Sequence, residues 1–563
     1  MEHGCARHHG RHPGQEGEHV AEVEAALQTA SQLPGWFGDG AAGARGIYQV
    51  TADDLRDEAA VLGAARQLAV ETSAAVKHLQ SRLATLRGEA AAARMRIHPD
   101  GVVTADVTEN PDDDAAREEQ RQGLEIAAKA LIAQAADVDG DAERVFNAIR
   151  NGHISTNGAA NTEDAMRAGA GQGGLTPFEP PEGKSPAEIK AYWDALPPDQ
   201  QHNLLQHRPD LLGNLDGIPS SVRHDANMRR LGGVLSALEA RRKQLEKQID
   251  DHVFGGLLTN EDAELEQVKR KIADAEKLKE LMNQDAWSEI NPNGRMLLVL
   301  DMTTGEQGKA AISIGNPDDA DHIAVTTPGM NTNIRGSMTD MLSESNALRA
   351  ETVSQLERAG APGQKVATIT WLDYEPPDKG NTRPFADQYS WAEAMQQDRA
   401  VVGARDLARF YNCLEATSTR DDPHIVALGH SYGSLTQGLA LQESGGHPVD
   451  DAVFYGSPGF EASDEPELGL RQGHGYVMQG DDDDIRHVTS KGGVGPNGPA
   501  PTSTQLEQLD VNARTTADGV AREGAHTHAD YPRMGDRVGP DGEKTLRVSG
   551  YLMARILAGL PPE

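Results

Sequence analysis

The sequence predicts an α/β fold: a mostly parallel sheet with helices on both faces, preceded by an extended all-α N-terminal region. Three observations carry this. From about residue 295 onward, short apolar runs alternate with helical segments, the pattern of parallel strands joined by crossover helices. One such run, Ile425-Val426-Ala427-Leu428, leads directly into Gly429-His430-Ser431-Tyr432-Gly433, and then into Leu435, Leu439 and Leu441 at helical spacing. The long stretch ahead of residue 291 instead repeats its apolar residues at steps of three, four and seven.

Composition narrows the partners. With 563 residues the chain is long enough for several domains, but 4% aromatic and 37% hydrophobic residues cannot pack all of it densely. Alanine-rich helices and Gly/Pro linkers account for the remainder. A net charge of −34 argues against nucleic acid and against anionic membrane surfaces. Cys5 and Cys413 are the only cysteines, too few for a disulfide framework or a cysteine metal site. No apolar run reaches the roughly 18 residues of a membrane span, so the chain is not expected to be an integral membrane protein. The N-terminus lacks the layout of a signal peptide, which leaves a cytoplasmic location or export without one. His3, His8, His9 and His12 lie in a start read as disordered over 1–18 rather than as a metal site.

The elements follow in order. Residues 19–150 read as a helical bundle: Val20, Val23 and Leu27 stripe a short helix that breaks at Pro34-Gly35. Leu55, Leu62, Leu68, Val76, Leu79, Leu83 and Leu86 stripe a longer one. Leu124, Ala128, Leu131 and Ala135 stripe a third, beyond the acidic stretch 110–114. Between the first two helices, Trp36 beside Gly38 is placed to pin them together. Residues 151–185, rich in Gly, Ala, Asn and Pro, read as a flexible linker. Residues 186–290 form a helical connector ending in a helical hairpin. Leu238, Leu245 and Ile249 face Leu265, Val268, Ile272 and Ala275, with Gly255-Gly256 between them and Thr259 or Asn260 capping the second helix. Residues 291–563 hold the sheet, with an opening hairpin at 297–300 and 310–314. Strands follow at 322–326, 366–371, 424–428, 452–455 and 476–478, and helices near 338–359, 391–411 and 435–442.

A serine on a sharp strand-to-helix turn needs small neighbours, which Gly429 and Gly433 supply; an ordinary Gly-rich turn is the plainer alternative. The turn places the Tyr432 N–H at a helix N-terminus, suited to stabilising an oxyanion. Ser431 follows the fifth strand, where an α/β-hydrolase fold carries its nucleophile. That fold takes its second oxyanion donor from the loop after the third strand, here Thr327-Pro328-Gly329-Met330-Asn331, so the Met330 N–H. The acid belongs after strand 476–478, where Asp481, Asp482, Asp483 and Asp484 leave the choice open. No spacing of a cation-binding loop accompanies these aspartates. The histidine comes last in chain order. His487 lies too close to the acid, leaving His526 and His528.

Two resemblances sharpen these choices. Trp193, Leu196 and Pro197, then Gly213-Asn214-Leu215-Asp216-Gly217-Ile218-Pro219, then Arg223, Asn227 and Leu231, resemble a segment ahead of the hydrolase domain in a large actinobacterial α/β-hydrolase family. In such families the acid stands three residues past a glycine and before a short apolar pair, which implies Asp483, with Asp484 as the alternative. A terminal H-x-x-Y, matched by His528 to Tyr531, implies His528. Gly456-Ser457-Pro458-Gly459 resembles the family's G-S-P-G turn. Trp36-Phe37-Gly38 between helices resembles the W-x-G hairpin proteins exported through type VII secretion, although the Tyr-x-x-x-Asp/Glu tail of that family is missing after the second helix.

Together these imply a serine hydrolase with Ser431, Asp483 and His528 as triad, Met330 and Tyr432 as oxyanion donors, and no metal or organic cofactor. Its substrate is an acyl ester, small or lipid, with the loops 373–385 and 459–475 as pocket walls. The competing reading is a non-catalytic or toxin-like secreted protein that keeps a hydrolase scaffold and binds a helical protein partner through its N-terminal region.

Overall fold

The computed structural model describes residues 13–32, 35–105, 114–250, 260–377, 397–486, 494–495, 497–538 and 544–563. Contacts divide the chain into two compact units, Met1–Pro180 with Ala191–Asn203, and Pro181–Lys190 with Leu204–Glu563. His3, His8, His9 and His12 lie outside the described residues, as do Pro34, Gly255, Gly256, Thr259, Trp391 and His487.

The first unit is built on α1 (Pro13–Ser31) and the 54-residue α2 (Asp39–Ala92). A hairpin of β1 (Met95–Ile97) and β2 (Val103–Ala105) comes next, then α3 (Asp114–Arg150) and α4 (Thr162–Gly173). Three expectations are corrected here. Residues 13–18, expected to be disordered, are helical. Trp36 is 36% and Phe37 85% exposed, so the Trp36 ring does not pin α1 to α2. Glu24 does so instead, buried, accepting from Arg56 Nε at 3.2 Å and from the Thr162 N–H at 2.6 Å.

The third correction is the linker, within which α4 packs on α2. The small residues that suggested flexibility are the contact surface. A Cβ on Gly63, Gly169 or Gly173 would lie 2.0, 1.8 or 2.1 Å from a carbonyl oxygen of the facing helix. Residues without side chains let two backbones approach this closely, and glycine composition alone does not separate that use from disorder.

The second unit holds an eight-stranded sheet. After α5 (Pro186–Ala195), α6 (Pro198–His207) and α7 (Pro209–Leu212), the hairpin of α8 (Ser220–Asp250) and α9 (Asn260–Gln284) precedes β3 (Arg295–Asp301) and β4 (Lys309–Ile314). Then come β5 (His322–Thr327), α10 (Ile334–Arg358), β6 (Val366–Leu372), α11 (Asp398–Thr417), β7 (His424–His430) and α12 (Tyr432–Leu441). Strands β8 (Asp451–Tyr455), β9 (Gly475–Met478) and β10 (Glu507–Leu509) and helix α13 (Val548–Leu557) complete it. The strand order is β10-β9-β8-β7-β5-β6-β4-β3, with β3–β4 and β4–β6 antiparallel and the other pairs parallel. The central strands are buried nearly throughout, and their side chains alternate between two cores, as two covered faces require. Ile425 and Ala427 join one core with α11 and α12, while Val426 and Leu428 join another with α13. This is the predicted α/β-hydrolase fold, and among the described residues no helix is long and apolar enough to cross a membrane.

The segment around Gly213 to Asn227 has a structural purpose that its residue types did not disclose. Strand β3 is a sheet edge, and its outer polar groups are met by side chains. Leu297 N–H donates to His224 Nδ1 at 3.0 Å, and Asn227 Nδ2 donates to the Leu297 carbonyl at 3.2 Å. Arg223 Nε donates to the Leu298 carbonyl at 3.1 Å, and Asn214 exchanges two bonds with Leu300 at 2.9 Å each. An uncovered edge strand invites pairing with other chains, and here a ladder of side chains closes it. Burial lowers the pKa of His224, which keeps it the neutral acceptor this position needs.

Asn227→Ala removes donors from the buried Gly213 and Leu297 carbonyls. It is expected to destabilise the sheet unit by about 1–3 kcal/mol, read as a lower denaturant midpoint, because buried acceptors lose their partners. An unchanged midpoint would show that water takes over the edge.

Candidate active site

Ser431 lies between β7 and α12 with φ 53° and ψ −128°, a left-handed conformation that costs energy for a residue with a side chain. Its surroundings hold it there. The Ser431 N–H donates to the Tyr455 carbonyl at 3.1 Å, and its own carbonyl accepts from Ser434 N at 3.0 Å and Ser434 Oγ at 2.5 Å. Only glycine fits beside it. A Cβ on Gly433 would lie 2.2 Å from the Thr327 carbonyl oxygen, and one on Gly429 2.7 Å from Ser434 Cα.

The loop after β5 meets the serine from the other side. A Cβ on Gly329 would stand 2.5 Å from Ser431 Cβ and 3.0 Å from its Oγ, so the peptide leading to Met330 runs against the hydroxyl. The loop is tied down at both ends: Tyr374 OH donates to the Pro328 carbonyl, and Asn331 N–H donates to the Pro377 carbonyl at 2.8 Å. Asn331 itself has φ 60°. Across the serine, Tyr432 is buried with its hydroxyl accepting from Ala400 N–H at 3.2 Å. Met330 and Tyr432 therefore stand on the two backbone segments that flank Ser431.

His528 lies in the loop ahead of α13. Its Nε2 is 2.9 Å from Ser431 Oγ, and its Nδ1 is 2.9 and 3.1 Å from the two carboxylate oxygens of Asp483. Burial separates the four aspartates: Asp483 is 1% exposed, whereas Asp481, Asp482 and Asp484 lie at the surface. The bonds to the imidazole come from Asp483. Asp481 pairs with His526 instead, at 2.7 Å on the surface, so both late histidines have an aspartate but only His528 reaches the serine.

Asp483 also accepts from the Tyr531 hydroxyl at 2.7 Å and from Ile485 N–H at 3.0 Å. Burial opposes its charge, yet the bonds from His528 and Tyr531 outweigh it and hold the carboxyl below its ordinary pKa. Tyr531 is fixed in turn by accepting from Gly480 N–H at 2.8 Å. Gly456, φ 55°, fits under this pair: a Cβ there would meet Tyr531, Asp483 and His528 within 3.1–3.2 Å. Its neighbour Ser457 is buried and accepts from Gly459 N–H, bonded to Ser434 Oγ at 2.6 Å, which makes it part of the turn. Neither Tyr531 nor Gly456 was assigned a place at the site by sequence reasoning, although H-x-x-Y and G-S-P-G contained the signal.

Of the anticipated pocket walls, 459–475 is described, as are residues 373–377; residues 378–385 lie outside the described residues. A cavity of about 400 Å³ opens beside Tyr374, lined by Asp373, Glu375, Asp398 and Asp406 together with Lys309 and Arg399. Burial, and after it the carboxylates around it working against Lys309, push Asp373 up to about 8.

Comparison with known proteins supports the fold. A family profile described as alpha/beta hydrolase matches residues 304–492, which contain Ser431 and Asp483. An uncharacterized protein of Mycobacterium tuberculosis is 38% identical over 223 residues, 39% of this chain and 78% of its own length; one of Mycobacterium bovis matches equally. A second uncharacterized protein of Mycobacterium tuberculosis is 28% identical over 377 residues, 64% of this chain and 53% of its own length. Among solved structures, an arylesterase overlaps 56% of this chain and 96% of its own length, with 13% identity and a TM-score of 0.24. Dipeptidyl peptidase 4 of Porphyromonas gingivalis overlaps 42% and 33%, with 13% identity and a TM-score of 0.21. Sheet order and profile agree, and a relative 38% identical is covered over 78% of its length: through its C-terminal region, this chain belongs to the alpha/beta hydrolase family.

Proposed function

We propose that this protein is a serine hydrolase that cleaves carboxylic esters through an acyl-enzyme intermediate. One observation carries the reading: the unbroken hydrogen-bond chain from Ser431 through His528 to the buried Asp483, set on a strained strand-to-helix turn. A hydroxyl is a weak nucleophile until a base takes its proton, and a neutral imidazole at 2.9 Å is placed to do so.

In the proposed cycle, Ser431 Oγ attacks the acyl carbon while its proton passes to His528 Nε2. Asp483 fixes the Nδ1–H tautomer and stabilises the imidazolium, and the N–H groups of Met330 and Tyr432 hold the oxyanion. The C–O bond to the alcohol then breaks, and the alcohol leaves with the proton from His528. Water, deprotonated by the same imidazole, attacks the acyl-serine and releases the acid. No step calls on a metal or organic cofactor.

A fluorophosphonate probe tests this directly. Wild-type protein is expected to label on a serine, with Ser431→Ala and His528→Ala abolishing labelling and Asp483→Asn slowing it by several orders of magnitude. A folded wild type that stays unlabelled would overturn the reading.

Asp483 yields a second expectation. A carboxyl whose folded pKa is depressed stabilises the fold fully above its unfolded value, and that stabilisation is lost as the pH falls through the folded pKa. Tyr531→Phe deletes one of the bonds behind the depression. It is expected to cost about 1–2 kcal/mol at neutral pH, with the deficit shrinking on acidification once Asp483 is protonated. Thermal denaturation of both proteins at neutral and acidic pH checks it; a deficit independent of pH would point to packing alone.

A further inference from the structure

The residue ahead of the serine in the Gly429–Gly433 turn remains unexplained. His430 ends β7 directly before the serine, on the side that faces the His528 loop. Its Nε2 lies 2.9 Å from the backbone carbonyl of His528. A carbonyl only accepts, so Nε2 carries the hydrogen and donates it. The ring is stacked on Tyr455, centroids 5.1 Å apart at 20°, and lies 4.9 Å from the His528 ring and 6.2 Å from Tyr531. Strand β8 supplies Tyr455, and the loop before α13 supplies His528 and Tyr531. His430 therefore joins the strand that presents the nucleophile to the loop that presents the base.

We propose that His430 is a positioning residue, a neutral imidazole whose Nε2–H clamps the His528 peptide so that the His528 ring spans Ser431 and Asp483. The inference rests on the serine-hydrolase reading above. Two features support it beyond the bond itself. The loop ahead of α13 is also anchored at Asp530, which accepts from the His526 and Thr527 N–H groups, at Tyr531, and at His526, whose ring pairs with Asp481 and whose carbonyl accepts from Asp482 N–H at 3.1 Å. None of these bonds holds the His528 peptide, which makes His430 its contact with the elbow. The charge state also fits. The charged and titratable groups facing His430 are His528, Asp483 and Arg533, the last paired with Glu344 at 3.3 Å, along with the phenols of Tyr455 and Tyr531. Burial first, and then His528, push His430 down to about 4. It is uncharged when His528 takes up a proton, so the developing imidazolium meets a dipole and not a second cation.

Gln and Met are close in length, and only Gln offers an N–H. H430Q and H430M are therefore compared with wild type for the rate of fluorophosphonate labelling across pH, with near-UV circular dichroism confirming the fold. H430M is expected to label at least about tenfold more slowly. H430Q, which restores an N–H donor, is expected to stay within about threefold of wild type. Wild-type behaviour in H430M, or equal loss in both variants, would overturn the clamp and leave His430 a packing residue. Should H430M not fold, H430L and H430N give the same comparison of a side chain without and with an amide donor. An unlabelled wild type would be a separate failure, that of the hydrolase reading itself.

Discussion

The site depends on one strained residue. Ser431 is held at positive φ between a strand and a helix, and every close neighbour is shaped by that. Gly433 admits the Thr327 carbonyl, Gly429 admits the turn of α12, and Gly329 admits the serine side chain. Remove the tight turn and these small residues have no purpose. With it, the hydroxyl projects from the sheet where two other loops reach it. The strain is balanced by bonds from the Ser431 peptide to Tyr455 and Ser434, so it is part of the resting structure.

Around that residue the structure spends its buried polar groups on alignment. Asp483 is charged in an apolar setting because His528, Tyr531 and the Ile485 N–H all donate to it. Tyr531 is aimed by Gly480, and Gly456 leaves room for the pair. The same economy appears at the far side of the sheet, where Asn214, Arg223, His224 and Asn227 meet the outer backbone of β3. A segment with no evident chemistry of its own is thereby explained: it ends the sheet.

The helical unit shows where composition misleads. Gly63, Gly169 and Gly173 look like loosening residues in a list, yet they let α2 and α4 touch backbone to backbone. Trp36, the largest side chain near the first turn, stays at the surface, while buried Glu24 ties α1 to α2 and α4 through Arg56 and Thr162. The hairpin at Met95–Ala105 was also passed over. Its Asp100-Gly101 turn is a local signal, but strands of three residues are too short to show a period.

The sequence by itself determined the fold class, seven of the eight strands of the sheet and the tight turn at Ser431, because these rest on local patterns: a buried strand must be apolar, a crossover helix must be periodic, and a sharp strand-to-helix turn must be small on both sides. Residue types narrowed the acid to four adjacent residues and the histidine to two, and the family resemblance pointed to Asp483, with Asp484 as the alternative, and to His528. Only the tertiary structure separated them by contact, since Asp483 differs from its neighbours in burial and in the atoms that surround it, not in its own chemistry. The same holds for Tyr531, His430 and the edge-covering asparagines. Their partners lie at sequence separations from 14 to 98 residues, so a local pattern such as H-x-x-Y marks the residue without naming the atom it meets.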